Sequence, residues 1–500
     1  MVPAASIRND AAGTIQGGVG NTAISLNSGQ ISNAGIIKGD VRFGDDYFGG
    51  PGVYIANGGT IEGNLYFSSG SDILFQLGDD LGVTGSIDGG AGQDMFGRVF
   101  ATDTTVKLGA RPDIGFERDY LLAQAGATVS IDAAAQSTDI LFIGGEGAFV
   151  NLATLDGRIS TDIPYYYSSP MVATYLPRKL ATFVNRGTLN GGFAGKTVTF
   201  DNEGSIGISD LSYSAAVVQY GYEGDLRFTN NGTITGASYG AVELFGDGVS
   251  DVSFRNDGLI SGNVVINTGF AETAAGHLGI MNDGLIEGSM SVLTGFAGET
   301  AGSFSFTNSG TLRFDGGDAL AVSNYHYLTA SGGHYAIDNS GLIESGGALG
   351  VAIRLSLGFP GDSAQIVNSG TIRANGDGVT ETYAYPGYGD FIYSQPSAAI
   401  ALFGDDAATL AVSNAANGMI ETTGALSTAI WVSDAALTLD NAGTIHGGAG
   451  TVLADTDQLA LSLGNPYLAG AIQTVGNGAD SIRNSGTIIG SIDLGFVDKG

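Results

Sequence analysis

A short motif, Asn-x-Gly-x-Ile/Leu, returns throughout this chain and limits what it can fold into. It has thirteen matches, where composition alone would give on the order of one. Asn230, Asn256, Asn282 and Asn308, which begin four of the matches, stand 26 residues apart. A repeat of this length is typical of a solenoid, in which each coil buries its apolar face against the next coil. The motif therefore predicts a chain of stacked coils.

Alternation on both sides of the motif indicates strands rather than helices. Leu226, Phe228 and Ile234 occupy every second position around Asn230 and Gly232, and a period of two is the period of a β-strand. The Asn-x-Gly step has turn composition, because Asn tolerates a left-handed backbone and Gly takes positive φ at little cost. The sequence therefore predicts an all-β fold, a single-stranded parallel β-helix with loop insertions.

The same alternation places the asparagine of the motif among the inward-facing residues. A lone buried amide is costly, but amides stacked at the roughly 4.8 Å spacing of adjacent strands can hydrogen-bond from coil to coil. We therefore expect a structural ladder rather than a binding motif. Its predicted members are Asn230, Asn256, Asn282, Asn308, Asn339, Asn368, Asn441 and Asn484. Asn9 and Asn414 begin relaxed matches that contain two additional residues.

The spacing of the motif divides the predicted solenoid into three parts. Residues 1–76 carry the N-terminal coils, and residues 181–500 carry regular coils that stop soon after a repeat, as in a truncated solenoid. Residues 77–180 lack the Asn-x-Gly turn and contain Pro-Tyr-Tyr-Tyr at 164–167. We expect irregular coils or an insertion within the same solenoid there.

Charge and composition exclude several classes of function. The net charge of −31 opposes binding to nucleic acid or to anionic lipid and helps to keep a β-rich chain soluble. The absence of cysteine excludes thiolate metal sites and cysteine nucleophiles, and it suits export of an unfolded chain through a narrow pore. No apolar run is long enough for a transmembrane segment, and the first residues lack the apolar core of a signal peptide, as at a fragment boundary.

The Asn-Ser-Gly-Thr-Ile and Asn-Asp-Gly-Leu-Ile turns, the glycine-rich acidic composition and the missing cysteines resemble the passenger domain of a Gram-negative autotransporter. The resemblance is to passengers with adhesin-type or pectin-lyase-like repeats, and it covers most of residues 9–76 and 181–490. It implies a right-handed parallel β-helix, located outside the cell on the bacterial surface. It also implies a C-terminal β-barrel translocator in the outer membrane, outside these 500 residues.

An aromatic insertion is the main candidate for a binding site. Residues 382–393 read Thr-Tyr-Ala-Tyr-Pro-Gly-Tyr-Gly-Asp-Phe-Ile-Tyr, which suits a projecting loop that meets sugars or proteins through ring faces and phenol hydroxyls. In the alternative, the rings fold back and cover apolar surface of the coil. The candidate ligand-binding residues are Tyr383, Tyr385, Tyr388, Phe391 and Tyr393.

One glycine-rich segment gives a weak indication of calcium. Gly89-Gly-Ala-Gly-Gln-Asp94 fits a calcium-binding β-helix repeat in which Asp94 would be the ligand, but such repeats bind calcium between successive copies and here one copy is found. A glycine-rich solenoid turn is the expected structure. No cofactor is therefore predicted, with calcium at Asp94 as the alternative.

Catalytic motifs are incomplete. Gly361-Asp362-Ser363-Ala364 is similar to the start of serine-hydrolase motifs, but its fourth residue is wrong. A base would have to come from four histidines, of which His446 is expected on the outer surface and His326 and His334 in a Tyr-rich loop; the fourth is His277. A partial outward row of Thr is similar to that of ice-binding solenoids, although Thr suits any strand.

These observations favour a secreted or cell-surface protein that acts by contact and not as an enzyme. The expected activity is adhesion or self-association, with cell-surface glycans, proteins or further copies of the chain as partners. The alternative is a β-helix polysaccharide lyase or glycoside hydrolase, because two carboxylates in a lateral groove suffice for that chemistry.

Overall fold

The computed structural model confirms the all-β parallel β-helix. Long stacks of parallel strands dominate it, and no α-helix occurs in the residues that the structure describes. The chain forms two compact units, unit 1 (Met1–Ser209) and unit 2 (Asp210–Gly500). The structure describes residues 5–496 except 19–20, 45–50, 79, 109–113, 136–139, 162–179, 209–214, 222–223, 238–239, 247–248, 269–275, 295–301, 325–331, 360, 386–388, 396, 426, 449–469 and 477.

Short strands make up the described part of unit 1. They are β1 Ala5–Asn9, β2 Thr14–Gln16, β3 Thr22–Leu26, β4 Gly29–Asn33, β5 Ile36–Lys38, β6 Asp40–Phe43, β7 Gly52–Ala56, β8 Thr60–Glu62, β9 Leu65–Tyr66, β10 Ile73–Gln76, β11 Ile87–Asp88, β12 Met95–Phe100, β13 Thr104–Val106, β14 Arg118–Ala123, β15 Thr128–Ile131, β16 Leu141–Gly145, β17 Ala148–Asn151, β18 Thr154–Leu155, β19 Ile159–Ser160, β20 Leu180–Asn185, β21 Thr188–Leu189, β22 Phe193–Asn202 and β23 Ser205–Gly207.

Unit 2 continues the numbering. Its strands are β24 Val217–Tyr220, β25 Gly224–Asn230, β26 Thr233–Thr235, β27 Val242–Phe245, β28 Val249–Asn256, β29 Leu259–Ser261, β30 Val264–Asn267, β31 His277–Asn282, β32 Leu285–Glu287, β33 Met290–Thr294, β34 Ser303–Asn308, β35 Thr311–Phe314, β36 Leu320–Asn324, β37 His334–Asn339, β38 Leu342–Ser345, β39 Val351–Ser356, β40 Ser363–Asn368, β41 Thr371–Ala374, β42 Val379–Tyr385, β43 Gly389–Gln395, β44 Ser397–Asn414, β45 Met419–Thr422, β46 Ser427–Asn441, β47 Thr444–His446, β48 Gly470–Val475, β49 Ser481–Asn484, β50 Thr487–Ile489 and β51 Ile492–Phe496.

One coil of unit 2 consists of three strands. For example, β31 ends at the Asn of the motif, β32 follows the turn, and β33 completes the coil; each pairs in parallel with its counterpart one coil later. We call the resulting three stacks of strands the first, second and third stack. Within the first stack Leu278 pairs with Phe304 and Ile280 with Phe306. Like residues therefore lie above like residues, and this register builds a continuous apolar core.

An asparagine ladder runs through the core of unit 2. The Nδ2 of Asn230 donates to the Oδ1 of Asn256 at 2.8 Å, and Asn256 donates in the same way to Asn282 at 2.8 Å. The series continues through Asn282, Asn308, Asn339, Asn368, Asn414 and Asn441 to Asn484. Every member is buried except Asn484, which lies in the last described coil and is exposed. All eight predicted asparagines thus take part, together with Asn414.

Unit 1 contains shorter ladders that the sequence analysis did not assign. Asn151 donates to Asn185, which donates to Asn202; the motif search missed Asn151 because Ala153 stands where Gly is expected. Asn9 donates to Asn33, whose own Nδ2 donates to the hydroxyl of Tyr54 at 3.2 Å. Burial raises the pKa of Tyr54 to about 12, so its phenol stays neutral and replaces an amide.

The turn glycines are required for a different reason than the sequence suggested. Positive φ was expected for them, but Gly258, Gly284 and Gly310 do not have it. Instead, the turns stack so closely that a Cβ at Gly310 would overlap the carbonyl oxygen of Gly284, which accepts a hydrogen bond from Thr311 N at 2.8 Å. The glycine is therefore selected by the close approach of neighbouring coils and not by backbone dihedral angles.

We expect Gly310→Ala to lower the free energy of unfolding by roughly 1–3 kcal/mol, because the methyl group forces adjacent coils apart. Gly317→Ala is the matched control, since a Cβ there would meet side-chain atoms only at 3.5 Å or more. That substitution should be neutral or slightly stabilising. Urea denaturation followed by circular dichroism measures both; equal midpoints would contradict the stacking explanation.

Alternating charges line the outer side of the second stack in unit 2. Glu287, Arg313, Glu344, Arg373 and Glu421 occupy equivalent positions on five successive coils. Arg313 is ion-paired with Glu287, and Arg373 is paired with both Glu344 and Glu421. A one-coil misalignment would place like charges together, so this row favours the observed register.

Unit 1 has apolar side chains on both sides of some strands. In β7 and β10, Tyr54 and Leu74 belong to the interior cluster, whereas Val53, Ile55 and Phe75 belong to a second cluster. The second cluster also contains Ile73, Met95, Tyr120, Leu122 and Phe142. Because consecutive side chains of a strand point to opposite faces, the outer face of this sheet is buried as well. The described strands within residues 77–180 pair in parallel with neighbouring coils.

Candidate functional site

The aromatic insertion of unit 2 forms a hairpin of its own. Strands β42 and β43 pair in antiparallel orientation, with Tyr383 opposite Phe391 and Glu381 opposite Tyr393. They make a separate two-stranded sheet, distinct from the parallel stacks. The composition of residues 382–393 predicted a projecting loop, and the described backbone of this insertion is paired as two strands. Four of the five predicted ligand-binding residues are brought together in these strands, and Tyr388 lies outside the described residues.

The register places the four aromatic positions on the same face of this hairpin. Directly opposed residues of an antiparallel pair share a face, as do residues two apart along one strand. Positions 383, 385, 391 and 393 consequently fall on one face, and positions 380, 382, 392 and 394 fall on the other.

The coil continues undisturbed past the hairpin. Strand β39 precedes the hairpin and pairs with β44, which follows it (Ile353 opposite Ile400). In the same way, β41 precedes the hairpin and pairs with β45 (Ile372 opposite Ile420). The strands on either side of residues 379–395 therefore keep the register of the parallel stacks. The hairpin is an insertion between the second and third stacks and supplies no strand to either of them.

A cationic and aromatic cluster lies on the third stack, across the neighbouring strands β39, β44 and β46. The rings of Phe403 and Trp431 meet edge to face with centroids 4.5 Å apart, and the guanidinium of Arg354 lies 5.2 Å from the Phe403 centroid. Asp318 holds that guanidinium with two hydrogen bonds of 2.5 and 3.2 Å. This cluster was not predicted, and the one sign of it in the sequence is the single tryptophan of the chain.

Asp94, the weak calcium candidate, lies in a column of carboxylates in unit 1. Asp72, Asp94 and Glu117 directly precede the paired strands β10, β12 and β14. The Oδ1 of Asp94 accepts the backbone N–H of Asp72 at 2.7 Å, and Glu117 accepts the N–H of Asp94 at 2.9 Å. Each carboxylate thus ties the start of a strand to the next coil. No group of three or more potential metal-binding side chains is found in the described part of the chain.

The environment of Asp94 disfavours its charged form. The side chain is 1% exposed, and its Oδ2 has no hydrogen-bond partner among the described residues. Burial raises the pKa of Asp94 to about 8, and the nearby charges of Asp72 and Glu117 act in the same direction. Asp94 is therefore protonated at neutral pH in the folded protein.

Histidines and serines stack on the outer side of the first stack in unit 2. His277 Nδ1 lies 2.8 Å from Ser303 Oγ, and His334 Nδ1 lies 2.6 Å from Ser363 Oγ. His334 is the first residue of β37, so the expectation of a loop position was wrong for it. His326 lies outside the described residues, and His446 is half-buried in β47, next to Glu421 on the neighbouring coil.

Asp362 of the Gly-Asp-Ser motif accepts hydrogen bonds from backbone N–H groups rather than from a histidine. Its carboxylate accepts the N–H groups of Gly333 at 2.6 Å and Phe359 at 3.1 Å, and a hydrogen from the amide of Asn324. The side chain is 1% exposed. A serine triad requires the carboxylate to orient the histidine, and these hydrogen bonds give Asp362 the role of closing a turn instead.

Comparison with known proteins gives no relative from which a function could be transferred. No family model matches the chain, and no curated protein or solved structure matches it. In the described residues, no helix is long and apolar enough to cross a membrane.

Proposed function

We propose that this chain is an extracellular binding protein that acts in adhesion or self-association, with the hairpin of residues 379–395 as its contact site. The observation that carries the proposal is that the hairpin is a separate sheet inserted into an otherwise continuous coil. A two-stranded hairpin is marginally stable at best by itself. The hairpin supplies no strand to the coil, so a role in building the coil does not explain its presence. A role in contact with a partner does.

Charge narrows the class of partner. The net charge of −31 opposes approach to polyanions, so neutral glycans, proteins with basic surfaces, or further copies of the chain are the favoured partners. Aromatic rings meet the apolar faces of sugars, while phenol hydroxyls hydrogen-bond to sugar hydroxyls. The parallel β-helix and the absence of cysteine agree with a passenger domain displayed on a bacterial surface, and that location belongs to the same proposal.

The aromatic face can be tested by substituting serine at Tyr383, Tyr385, Phe391 and Tyr393 in the full chain. Binding to a panel of neutral and acidic glycans, and self-association measured by sedimentation, should fall roughly tenfold or more, because a few buried aromatic residues dominate such contacts. The matched control substitutes serine at Thr382 and Ile392, which occupy the other face of the same hairpin. The control should retain affinity within about twofold.

The melting temperature of the aromatic variant distinguishes a role in contact with a partner from a role in covering the coil. A large decrease in the aromatic variant would show that the rings cover the coil, and unchanged binding would remove the hairpin as the contact site. Release of reducing ends or unsaturated uronides from the glycans by the unmodified chain would favour the alternative of a polysaccharide-degrading enzyme.

A further inference from the structure

A methionine lies on the outer surface of the first stack in unit 2. Met281 belongs to β31 and stands between Ile280 and Asn282, which are both buried. Because consecutive side chains of a strand point to opposite faces, Met281 points outward. Its side chain is 36% exposed. The thioether of Met281 is therefore within reach of small molecules dissolved in water.

The other described methionines are better protected from solvent. Met95 and Met290 are fully buried, at 0% exposure, and Met419 is half-buried. Met1 and Met171 lie outside the described residues. An oxidant in solution converts methionine to its sulfoxide only where it can reach the sulfur atom. Exposure therefore favours Met281 over Met95 and Met290 as a site of oxidation.

An arginine on the preceding coil contacts the sulfur of Met281. Arg255 is paired with Met281 in the register of β28 and β31, and its Nη1 donates to Met281 Sδ at 2.9 Å. Two carboxylates orient the same guanidinium. Its Nε donates to Asp257 at 2.7 Å, and its Nη2 donates to Asp283 at 3.0 Å. These charge-assisted hydrogen bonds keep Nη1 directed at the sulfur.

The contact with Arg255 makes the two faces of the sulfur atom unequal. A thioether sulfur has two lone pairs, and oxidation at one or the other gives one or the other epimer of the sulfoxide. The lone pair that accepts from Nη1 is engaged in a hydrogen bond and covered by the guanidinium. The second lone pair is the one left for an oxidant.

We propose that Met281 is a site of oxidation by hydrogen peroxide and that Arg255 directs the oxygen to one face of the sulfur. The second lone pair attacks one peroxide oxygen, so a sulfur–oxygen bond forms and the oxygen–oxygen bond breaks. The departing hydroxide removes the proton from the oxygen on sulfur and leaves as water. The sulfur loses two electrons, and the peroxide gains them. Arg255 is a positioning residue, and the proposal does not depend on the function of the hairpin.

The first measurement compares oxidation rates in the full chain treated with hydrogen peroxide, under conditions that leave its circular dichroism unchanged. Endoproteinase Glu-C cleaves after Glu287 and so separates Met281 from Met290. Oxidation adds about 16 Da to a peptide, which mass spectrometry detects. We expect the Met281 peptide to be oxidised roughly tenfold faster or more than the peptides of Met290 and Met95. Equal rates for Met281 and Met290 would overturn the site.

The second measurement determines which epimer of the sulfoxide forms at Met281. Two methionine sulfoxide reductases, each specific for one epimer, report the ratio in the isolated peptide. We expect an excess of one epimer of roughly threefold to tenfold, the usual effect of one hydrogen bond. Arg255→Leu leaves both lone pairs free and should give nearly equal amounts.

The matched control is Arg227→Leu. Arg227 is an exposed arginine of the same stack that is also ion-paired with an aspartate, but it lies two coils before Met281. Its substitution should leave the epimer ratio unchanged. Equal amounts of the two epimers in the unmodified chain, or the same excess in Arg255→Leu, would overturn the role of Arg255.

Discussion

Asn282→Leu should lower the free energy of unfolding by about 2–5 kcal/mol, one of the two largest effects that we expect in this chain. Leucine preserves the volume of the side chain but neither accepts from Asn256 nor donates to Asn308, contacts that the amide makes at 2.8 and 2.7 Å. Both neighbours are fully buried, and an unsatisfied buried group costs roughly 1–3 kcal/mol. Urea denaturation followed by circular dichroism measures the change.

The same substitution at the exposed end of the ladder is the matched control. Asn484 is exposed and receives one amide contact from the ladder, from Asn441, so water can replace the lost partner. Asn484→Leu should cost less than about 1 kcal/mol. Asp283→Ala, on the outer surface beside Arg255, should be similarly mild. Equal shifts for Asn282→Leu and Asn484→Leu would mean that burial of the amide does not determine its contribution.

Asp94→Asn should stabilise unit 1 above neutral pH and remove part of its pH dependence. In the folded state the pKa of Asp94 is about 8, against an ordinary value of 3.8. The folded protein therefore binds the Asp94 proton more tightly than the unfolded chain does. The contribution of Asp94 to the free energy of unfolding is fully present below pH 4 and is lost as the pH rises towards 8. One pKa unit corresponds to 1.36 kcal/mol. After allowance for solvent screening we expect the variant to gain roughly 2–4 kcal/mol at pH 9.

The geometry permits this substitution. The asparagine oxygen can still accept the N–H of Asp72, and its NH₂ group occupies the position of Oδ2, which has no hydrogen-bond partner among the described residues. Near pH 4, where Asp94 is already neutral in the folded protein, variant and parent should differ little. The measurement is the difference in unfolding free energy between the two proteins from pH 4 to pH 9. A difference that does not grow with pH would refute the raised pKa.

The substitution Asp72→Asn is a control that should change the free energy of unfolding in the opposite direction. The Asp72 carboxylate accepts the N–H of Gly52 at 2.5 Å and both the N–H and the hydroxyl of Ser68, at 2.8 and 2.7 Å. Asp72→Asn replaces one of these acceptor oxygens with a donor group and should destabilise the protein at every pH. Two adjacent carboxylates in one column would then respond in opposite directions to the same substitution.

The motif alone was sufficient to predict the fold and the regular asparagine ladder. Alternation around Asn230 identified strands, and the spacing of the asparagines identified stacked coils, because both are local properties of the sequence. Two ladder members in unit 1 could not be found in the same way. Asn151 begins a motif in which Ala153 replaces the glycine, and Tyr54 has no resemblance to an asparagine. Tyr54 joins the ladder because its hydroxyl reaches Asn33 from the next coil.

The candidate site was only partly accessible to sequence reasoning. The aromatic composition of residues 382–393 was evident, whereas the hairpin register that brings positions 383 and 391 together depends on which residues pair. The Arg354 cluster and the Asp94 column unite residues from several coils. Their sequence separation, such as 77 positions between Arg354 and Trp431, leaves no local pattern to recognise.

The sequence by itself therefore determined the parallel β-helix, the inward direction of the asparagines and the acidic, cysteine-free character of the surface. The tertiary structure decided why the turns contain glycine, since the overlap at Gly310 comes from the coil below and not from φ. It also decided the protonation of Asp94, which follows from burial and from the neighbouring carboxylates. These properties depend on stacking, because burial and contact between coils are set by residues about one repeat apart.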